Sequence, residues 1–247
     1  MILLVPMAGV DKTFIQKGHA YGKSLSEIDG KPLIQHVWES LEGLYPNKVV
    51  FVIRKKDAEN HSLDHVLKLM VPGCSVVYSE GLTGGAACTV LLAIEHIEPE
   101  RELVVVNGDQ IIQGNLPGII EKFRESELDA GVIIFDSIHP RWSFVRLDRE
   151  GIVVEAAEKR PISRWATAGF FYFRRGVEFV DATMEMIRKD DHTNGQFYVC
   201  PALNQMILKH RKIGAQKIPR KAYRSLATPK NVDQFEAELS GQKVANI

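Results

Sequence analysis

The chain has 247 residues, 45% of them hydrophobic, and its 31 basic residues are balanced by 31 acidic ones. That is enough apolar material for one large α/β core or two small ones, and a net charge of zero excludes a general electrostatic pull toward nucleic acid or an anionic membrane. Cys74, Cys88 and Cys200 are odd in number and far apart, which argues against a disulfide framework or a zinc site and points to the cytoplasm.

The first residues are apolar but lack a basic leader and meet Pro6 at once, so they read as a buried strand over 3–6, not a signal segment or a membrane span. Short runs rich in Val and Ile follow at 49–53, 75–78, 103–107 and 131–135. They alternate with stretches of helical period at 33–44, 61–70, 86–97 and 116–123. This alternation predicts a mainly parallel sheet covered on both faces. After Asp136 the pattern changes. Segments 144–147 and 152–156 flank the turn Asp148-Arg149-Glu150-Gly151 as a hairpin, and 168–173 is a further strand. Helices over 177–188 and 201–209, a strand near 212–218 and a helix from about residue 231 complete the order. The expectation is α/β, a mainly parallel sheet with added antiparallel strands. With no repeat, low-complexity tract or Gly/Pro-rich linker, it forms one domain over residues 1–247.

Four stretches carry chemistry. The loop after the first strand, with Met7-Ala8-Gly9, Lys12, Lys17, Gly18, Gly22 and Lys23, is about twenty residues long, and loops of that length tend to be functional. Its small residues and lysines suit a triphosphate, since backbone amides can nest an anion and each ammonium adds a point charge; the plain alternative is a solvated loop. The run Gly84-Gly85-Ala86-Ala87 opens a helix with a bare surface for a base and ribose, or serves close helix packing. The strand 104–106 then delivers Asn107-Gly108-Asp109 to its carboxyl end, where open α/β sheets hold ligands and metal, although a turn-forming Asp would look the same. Finally, Glu158-Lys159-Arg160 places a carboxylate beside an ammonium at a strand end, suited to an acceptor hydroxyl and its phosphate or simply to solvent. His61, Asp64 and His65 lack a matching third-ligand motif and read as a solvated helix face, and the aromatic group 170–173 reads as sheet core. Nucleophile-elbow, Walker and Gly-x-Gly-x-x-Gly patterns are absent from the sequence.

Eight segments in this order, LVPMAG, GKPLI, GGAACTVLLA, VVVNGDQ, AAEKRPIS, WATAGFFYF, NGQFYVCPALNQMI and LATPKNVDQF, resemble the sugar-phosphate nucleotidyltransferase family. The likeness covers the whole chain. It is nearest to the short nucleotidyltransferase-like proteins of bacterial capsule and surface-polysaccharide clusters. The resemblance implies a single-domain, Rossmann-like nucleotide-diphospho-sugar transferase fold, with a nucleotide-binding half over about 1–136 and an acceptor-binding half over about 137–247. It implies a Mg²⁺-dependent reaction of an NTP with a phosphorylated small molecule, giving an activated NDP-compound and pyrophosphate. In this likeness Ala8, Gly9, Asn107 and Gly108 lie against the nucleotide, and Gly84, Gly85, Ala86 and Ala87 shape its base pocket. Asp109 holds the metal, and Glu158, Lys159 and Gly169 bind the acceptor.

The chain departs from the family's first loop, Gly-x-Gly-x-Arg-Phe, by Asp11 at the second glycine and Thr13 at the arginine. Lys12 and Lys23 are therefore expected to supply the triphosphate charge, making Lys12, Lys23, Asp109 and Lys159 the catalytic set. The late segment Tyr223-Arg224-Ser225-Leu226-Ala227-Thr228-Pro229 lacks the carboxylate that better-known members place there, which leaves Asp109 as the metal carboxylate. Two other readings stand beside this one: a glycosyltransferase of the same fold using an NDP-sugar donor, and a catalytically silent nucleotide-binding subunit. No nucleic-acid or membrane partner is expected, and a homo-oligomer stays open.

Overall fold

The computed structural model describes residues 1–9, 12–18 and 21–245; residues 10, 11, 19, 20, 246 and 247, and the side chains of Lys12 and residues 242–245, lie outside that description. Strand β1 (Ile2–Pro6) is followed by a short helix, α1 (Lys12–Gln16), inside the long polar loop. The loop ends in a small hairpin of β2 (Glu27–Ile28) and β3 (Lys31–Pro32), turned by Asp29 at φ 51° and Gly30 at φ 77°. Positive φ at both central residues is what a two-residue Asp-Gly hairpin turn demands.

Helix α2 (Leu33–Glu39) stops before the expected residue 44, because Gly43 and Pro46 interrupt it and the chain tightens into a 3₁₀ turn, Glu42–Leu44. Strand β4 (Lys48–Arg54) runs into α3 (Lys55–His61), which has no buried residue and hence no apolar stripe for a periodicity reading to find. Ser62, left-handed at φ 53°, separates it from α4 (Leu63–Met70). After β5 (Ser75–Ser79), helix α5 (Ala86–Leu91) is half the expected length; Ala93 N–H bonds to Val90 O at 3.0 Å, tightening the last turn toward the 3₁₀ turn Ile94–His96. Strands β6 (Leu103–Val106) and β7 (Gln110–Ile112), helix α6 (Leu116–Glu125) and strand β8 (Ala130–Asp136) complete the first half.

The second half holds β9 (Ser143–Leu147), β10 (Val153–Glu158), β11 (Trp165–Phe173), α7 (Gly176–Arg188), α8 (Val199–Leu208), β12 (Ile213–Lys217), β13 (Tyr223–Ser225) and α9 (Pro229–Ala245). A nine-stranded sheet runs in the order β10-β9-β11-β6-β1-β4-β5, with β8 and β12 also joined to it through β11. The β6-β1-β4-β5 pairs are parallel, whereas β11 is antiparallel to β6, β8 and β9. Parallel strands with an antiparallel extension are what the element order led one to expect.

Alternation along the strands sends side chains to two cores. Leu3, Val5, Phe51 and Ile53 face α2, α4, α6 and α9, while Ile2, Leu4, Val50 and Val52 face α5, α7 and α8. Each face buries a full set of aliphatics, so the sheet is covered on both sides. None of the described helices is long and apolar enough to cross a membrane.

One irregularity positions the site. The register of β11 shifts between Thr167 and Phe171, where Gly169 sits at φ 60°. On one edge β11 pairs with β9 at Ala166 and then with β6 from Phe170, so Gly169 marks the fork between them.

Candidate active site

A cleft of about 640 Å³ opens over the carboxyl ends of β1, β4 and β6, the place where open α/β sheets bind ligands. Ala8, Gly9, Lys23, Gly85, Ala86, Asn107, Gly108 and Asp109 line one wall, and Glu158, Lys159 and Gly169 line the other. Gly84 and Ala87 are off the cleft wall. Ala87 is fully buried, and Gly84 packs toward the Cys88 sulfur and Phe197. The small-residue run has a second use as well: Gly84 O accepts from Phe197 N–H at 2.7 Å, and Ala87 N–H donates to Phe197 O at 3.0 Å. Gly85, at φ 127°, lies so close that a Cβ would come within 2.7 Å of Phe197 N, so this glycine admits another backbone.

Lys23 Nζ donates to Asp109 Oδ2 at 2.7 Å, and both side chains are about one quarter exposed. Lys23 is set by a tight turn in which Ser26 N–H bonds to Lys23 O and Ser26 Oγ to Gly22 O, both at 3.0 Å. The β2–β3 hairpin then returns to α2, with Leu33 N–H on Ser26 O and Ile34 N–H on Ser24 O. Asp109 is anchored through its backbone: Leu226 N–H donates to Asp109 O at 2.7 Å, and β13 pairs antiparallel with β7, placing Ser225 opposite Gln110. The Lys12 side chain and Asp11 lie outside the described residues. Thr13 stands exposed on α1.

Asn107 and Gly108 are held as tightly. Asn107 N–H and Gln110 Nε2 both donate to Gly169 O, at 3.1 and 3.0 Å, and the Tyr223 hydroxyl reaches Gln110 Oε1 at 3.3 Å. A Cβ on Gly108 would come within 2.8 Å of Met7 Cγ, so the glycine leaves room for the Met7 side chain. Gly169 is therefore a fold residue that also touches the cleft, its carbonyl joining β11 to the Asn107–Gln110 segment. Tyr223 stacks on Phe135 at 4.6 Å, and burial together with the Asp109 charge pushes its phenol up.

On the opposite wall the Glu158 carboxylate is nearly buried and accepts from the Ser143 hydroxyl. Burial pushes its pKa up, and the Ser143 bond and the Lys159 charge offset only part of that. Lys159, at φ 52°, sits where few non-glycine residues do; its Nζ donates to the Tyr198 hydroxyl at 2.6 Å. Phe197 and Tyr198 thus reach opposite walls from consecutive positions, the first by backbone to residues 84–87 and the second by side chain to Lys159. Gln110, Tyr198, Ser143, Tyr223 and Leu226 were not singled out by sequence reasoning. The strings that carried the resemblance include Gln110, Tyr198 and Leu226 but not Ser143 or Tyr223, and none of the five bears a functional pattern by itself.

His61 lines the cleft and meets Tyr21 edge-on at 5.9 Å, and His65 is exposed, but Asp64 departs from the expected solvated face: it is buried, accepts from Tyr78 at 3.0 Å and lies 3.3 Å from His65 Nδ1. Among the described residues no group of three or more His, Cys, Asp or Glu side chains is placed to hold a metal ion. Asp109, whose Oδ2 takes Lys23, is a cleft carboxylate that could hold Mg²⁺, an ion that dehydrates reluctantly and is held by one or two carboxylates plus substrate phosphates.

With this geometry in view, comparison with known proteins is specific. The sequence pattern of the family described as nucleotidyl transferase matches residues 19–214. The UTP–glucose-1-phosphate uridylyltransferase AglF of Haloferax volcanii is 24% identical over 225 residues, covering 88% of this chain and 87% of that protein. The bifunctional protein GlmU of Methanocaldococcus jannaschii is 28% identical over 170 residues, covering 65% of this chain and 37% of GlmU. The crystal structure of a nucleoside-diphosphate-sugar pyrophosphorylase from Vibrio cholerae shares the fold, with a TM-score of 0.83 at 23% identity over 95% of this chain and 99% of that one.

Proposed function

Since this chain belongs to the nucleotidyl transferase family, we propose that it joins an NTP to a phosphorylated sugar or similar small metabolite in the presence of Mg²⁺, releasing pyrophosphate. The product is an NDP-activated compound for capsule or surface-glycan assembly, made in the cytoplasm. The observation that carries the reading is the Lys23–Asp109 pair at 2.7 Å, a cation and a carboxylate side by side in one cleft. The name of AglF supports a sugar 1-phosphate as acceptor, and the likeness to capsule-cluster proteins supports the glycan role. In this reading the nucleotide-binding half runs over about 1–136 and the acceptor-binding half over about 137–247 of one domain.

In this mechanism an oxygen of the acceptor's phosphate attacks the α-phosphorus of the NTP. The new P–O bond forms as the bond from the α-phosphorus to the oxygen bridging to the β-phosphate breaks, and pyrophosphate leaves with that electron pair. The nucleophile is already anionic, so alignment and charge neutralisation do the work and no covalent enzyme intermediate is needed. Asp109, together with the substrate phosphates, would hold Mg²⁺, which would supply charge neutralisation. Lys23 exchanges Asp109 for phosphate oxygens, with Lys12 as the second expected cation. Ala8, Gly9, Gly85 and Ala86 let the base and ribose approach the backbone. Lys159 takes the acceptor's phosphate and Glu158 one of its hydroxyls.

The test is a panel of four NTPs with mixed phosphorylated acceptors, scored by pyrophosphate release with Mg²⁺ and with EDTA. Metal-dependent release with one NTP is expected. NDP-sugar consumption without pyrophosphate would establish the glycosyltransferase reading instead, and nucleotide binding without turnover would establish a silent subunit.

A further inference from the structure

The β9–β10 hairpin presents two cations at the cleft. Glu158 stands opposite Ser143 in register, and Lys159 N–H extends the ladder to Trp142 O at 3.0 Å. Arg141 follows one residue further out, and both Arg141 and Lys159 line the cleft.

Two other cleft cations already hold carboxylates, Lys23 with Asp109 and Arg54 with Asp57. Among the described residues no carboxylate comes within ion-pair distance of Arg141, whose guanidinium instead lies over the Trp142 ring, 4.1 Å from its centroid. Stacking fixes the plane of a guanidinium without using its N–H donors, so the fork stays open to two oxygens of one anion. Trp142 is itself held edge-on by Phe135 and Tyr223, at 5.5 and 5.4 Å. Burial holds the Arg141 pKa below its ordinary value, while Tyr223 draws it up and the Arg220 charge pushes it further down.

We infer that Arg141 binds the acceptor's phosphate, forming with Lys159 a two-cation clamp on that group; the inference rests on the nucleotidyl-transfer reading above. A phosphomonoester is close to a dianion at neutral pH, and a planar fork plus a point charge matches it in charge and shape. Lys159 is oriented by Tyr198 and Arg141 by Trp142, so each cation arrives with its direction already set.

The full chain, its Arg141→Ala and Arg141→Lys variants and a Trp142→Phe control are titrated with glucose 1-phosphate, inorganic phosphate and uncharged glucose, following tryptophan fluorescence. NTP binding is measured separately. Arg141→Ala is expected to weaken both phosphate probes about tenfold and to leave NTP binding within about twofold, with Arg141→Lys intermediate because it keeps the charge and loses the fork. Unchanged binding of both probes by Arg141→Ala, an equal loss of NTP, or failure of the wild-type chain to bind either probe would overturn the inference. A wild-type chain that binds the probes through Arg141 yet releases no pyrophosphate from any NTP would refute the transfer reading and leave the anion site standing.

Discussion

Gly169→Ala separates a fold residue from a ligand contact. The substitution must hold an alanine at φ 60°, which costs about 1–2 kcal/mol for a side chain with a Cβ. The new methyl would also overlap the Asn107 amide, with Asn107 Cγ 2.9 Å away, and the Gln110 side-chain oxygen. The Gln110 side chain cannot retreat easily, because it is buried and bonds both Gly169 O and Tyr223. Breaking that buried amide bond adds about 1–3 kcal/mol. The sum is about 2–5 kcal/mol, and for a domain of this size each kcal/mol moves Tm by about 2–4 °C, so a fall of roughly 10 °C is expected. Chemical and thermal denaturation monitored by circular dichroism measure it. A variant with wild-type Tm that had lost only acceptor binding would refute the structural account and restore Gly169 to a ligand role.

The remaining predictions concern the two walls. Asp109→Ala is expected to abolish Mg²⁺-dependent pyrophosphate release while lowering stability by less than about 1 kcal/mol, since the side chain sits at a cleft surface; surviving activity in a metal titration would remove Asp109 from the metal site. Glu158→Gln tests the raised carboxyl. A folded pKa above the ordinary 4.5 favours the folded state fully below that value and loses its favour as pH rises through the folded pKa, so the amide is expected to be more stable than wild type near neutrality and equal to it in acid. Denaturant midpoints against pH read this directly, and a pH-independent difference would contradict it. Lys159→Ala is expected to raise the acceptor KM about tenfold or more while the NTP KM changes less than about twofold. Equal loss of both in steady-state kinetics would move Lys159 to the nucleotide side.

The order of elements was legible in the sequence because strand alternation and short Val- and Ile-rich runs are local signals. β1, β4, β6 and β8 lie where those runs are, and the change of pattern after Asp136 corresponds to the antiparallel β9–β11 extension. Local signals also placed Gly85, Ala86 and the strand-end carboxylate of Asp109 at the cleft, since glycine pairs and lone acids at strand ends are visible without a fold, but not the position of Gly84 and Ala87 off its wall. Helix α3 escaped because a helix with no buried face has no period, and β7 and β13 escaped because three-residue strands become strands only on meeting each other. What the tertiary structure alone decided is partnership. Lys23 meets Asp109 across 86 positions, Gln110 meets Gly169 across 59, and Lys159 meets Tyr198 across 39. Such contacts depend on how β11 forks between β9 and β6 at Gly169 and on how residues 223–226 return beside β7, and no local propensity encodes them. The same limit explains Gly85, whose missing side chain looked like room for a ligand and also serves as room for the Phe197 backbone.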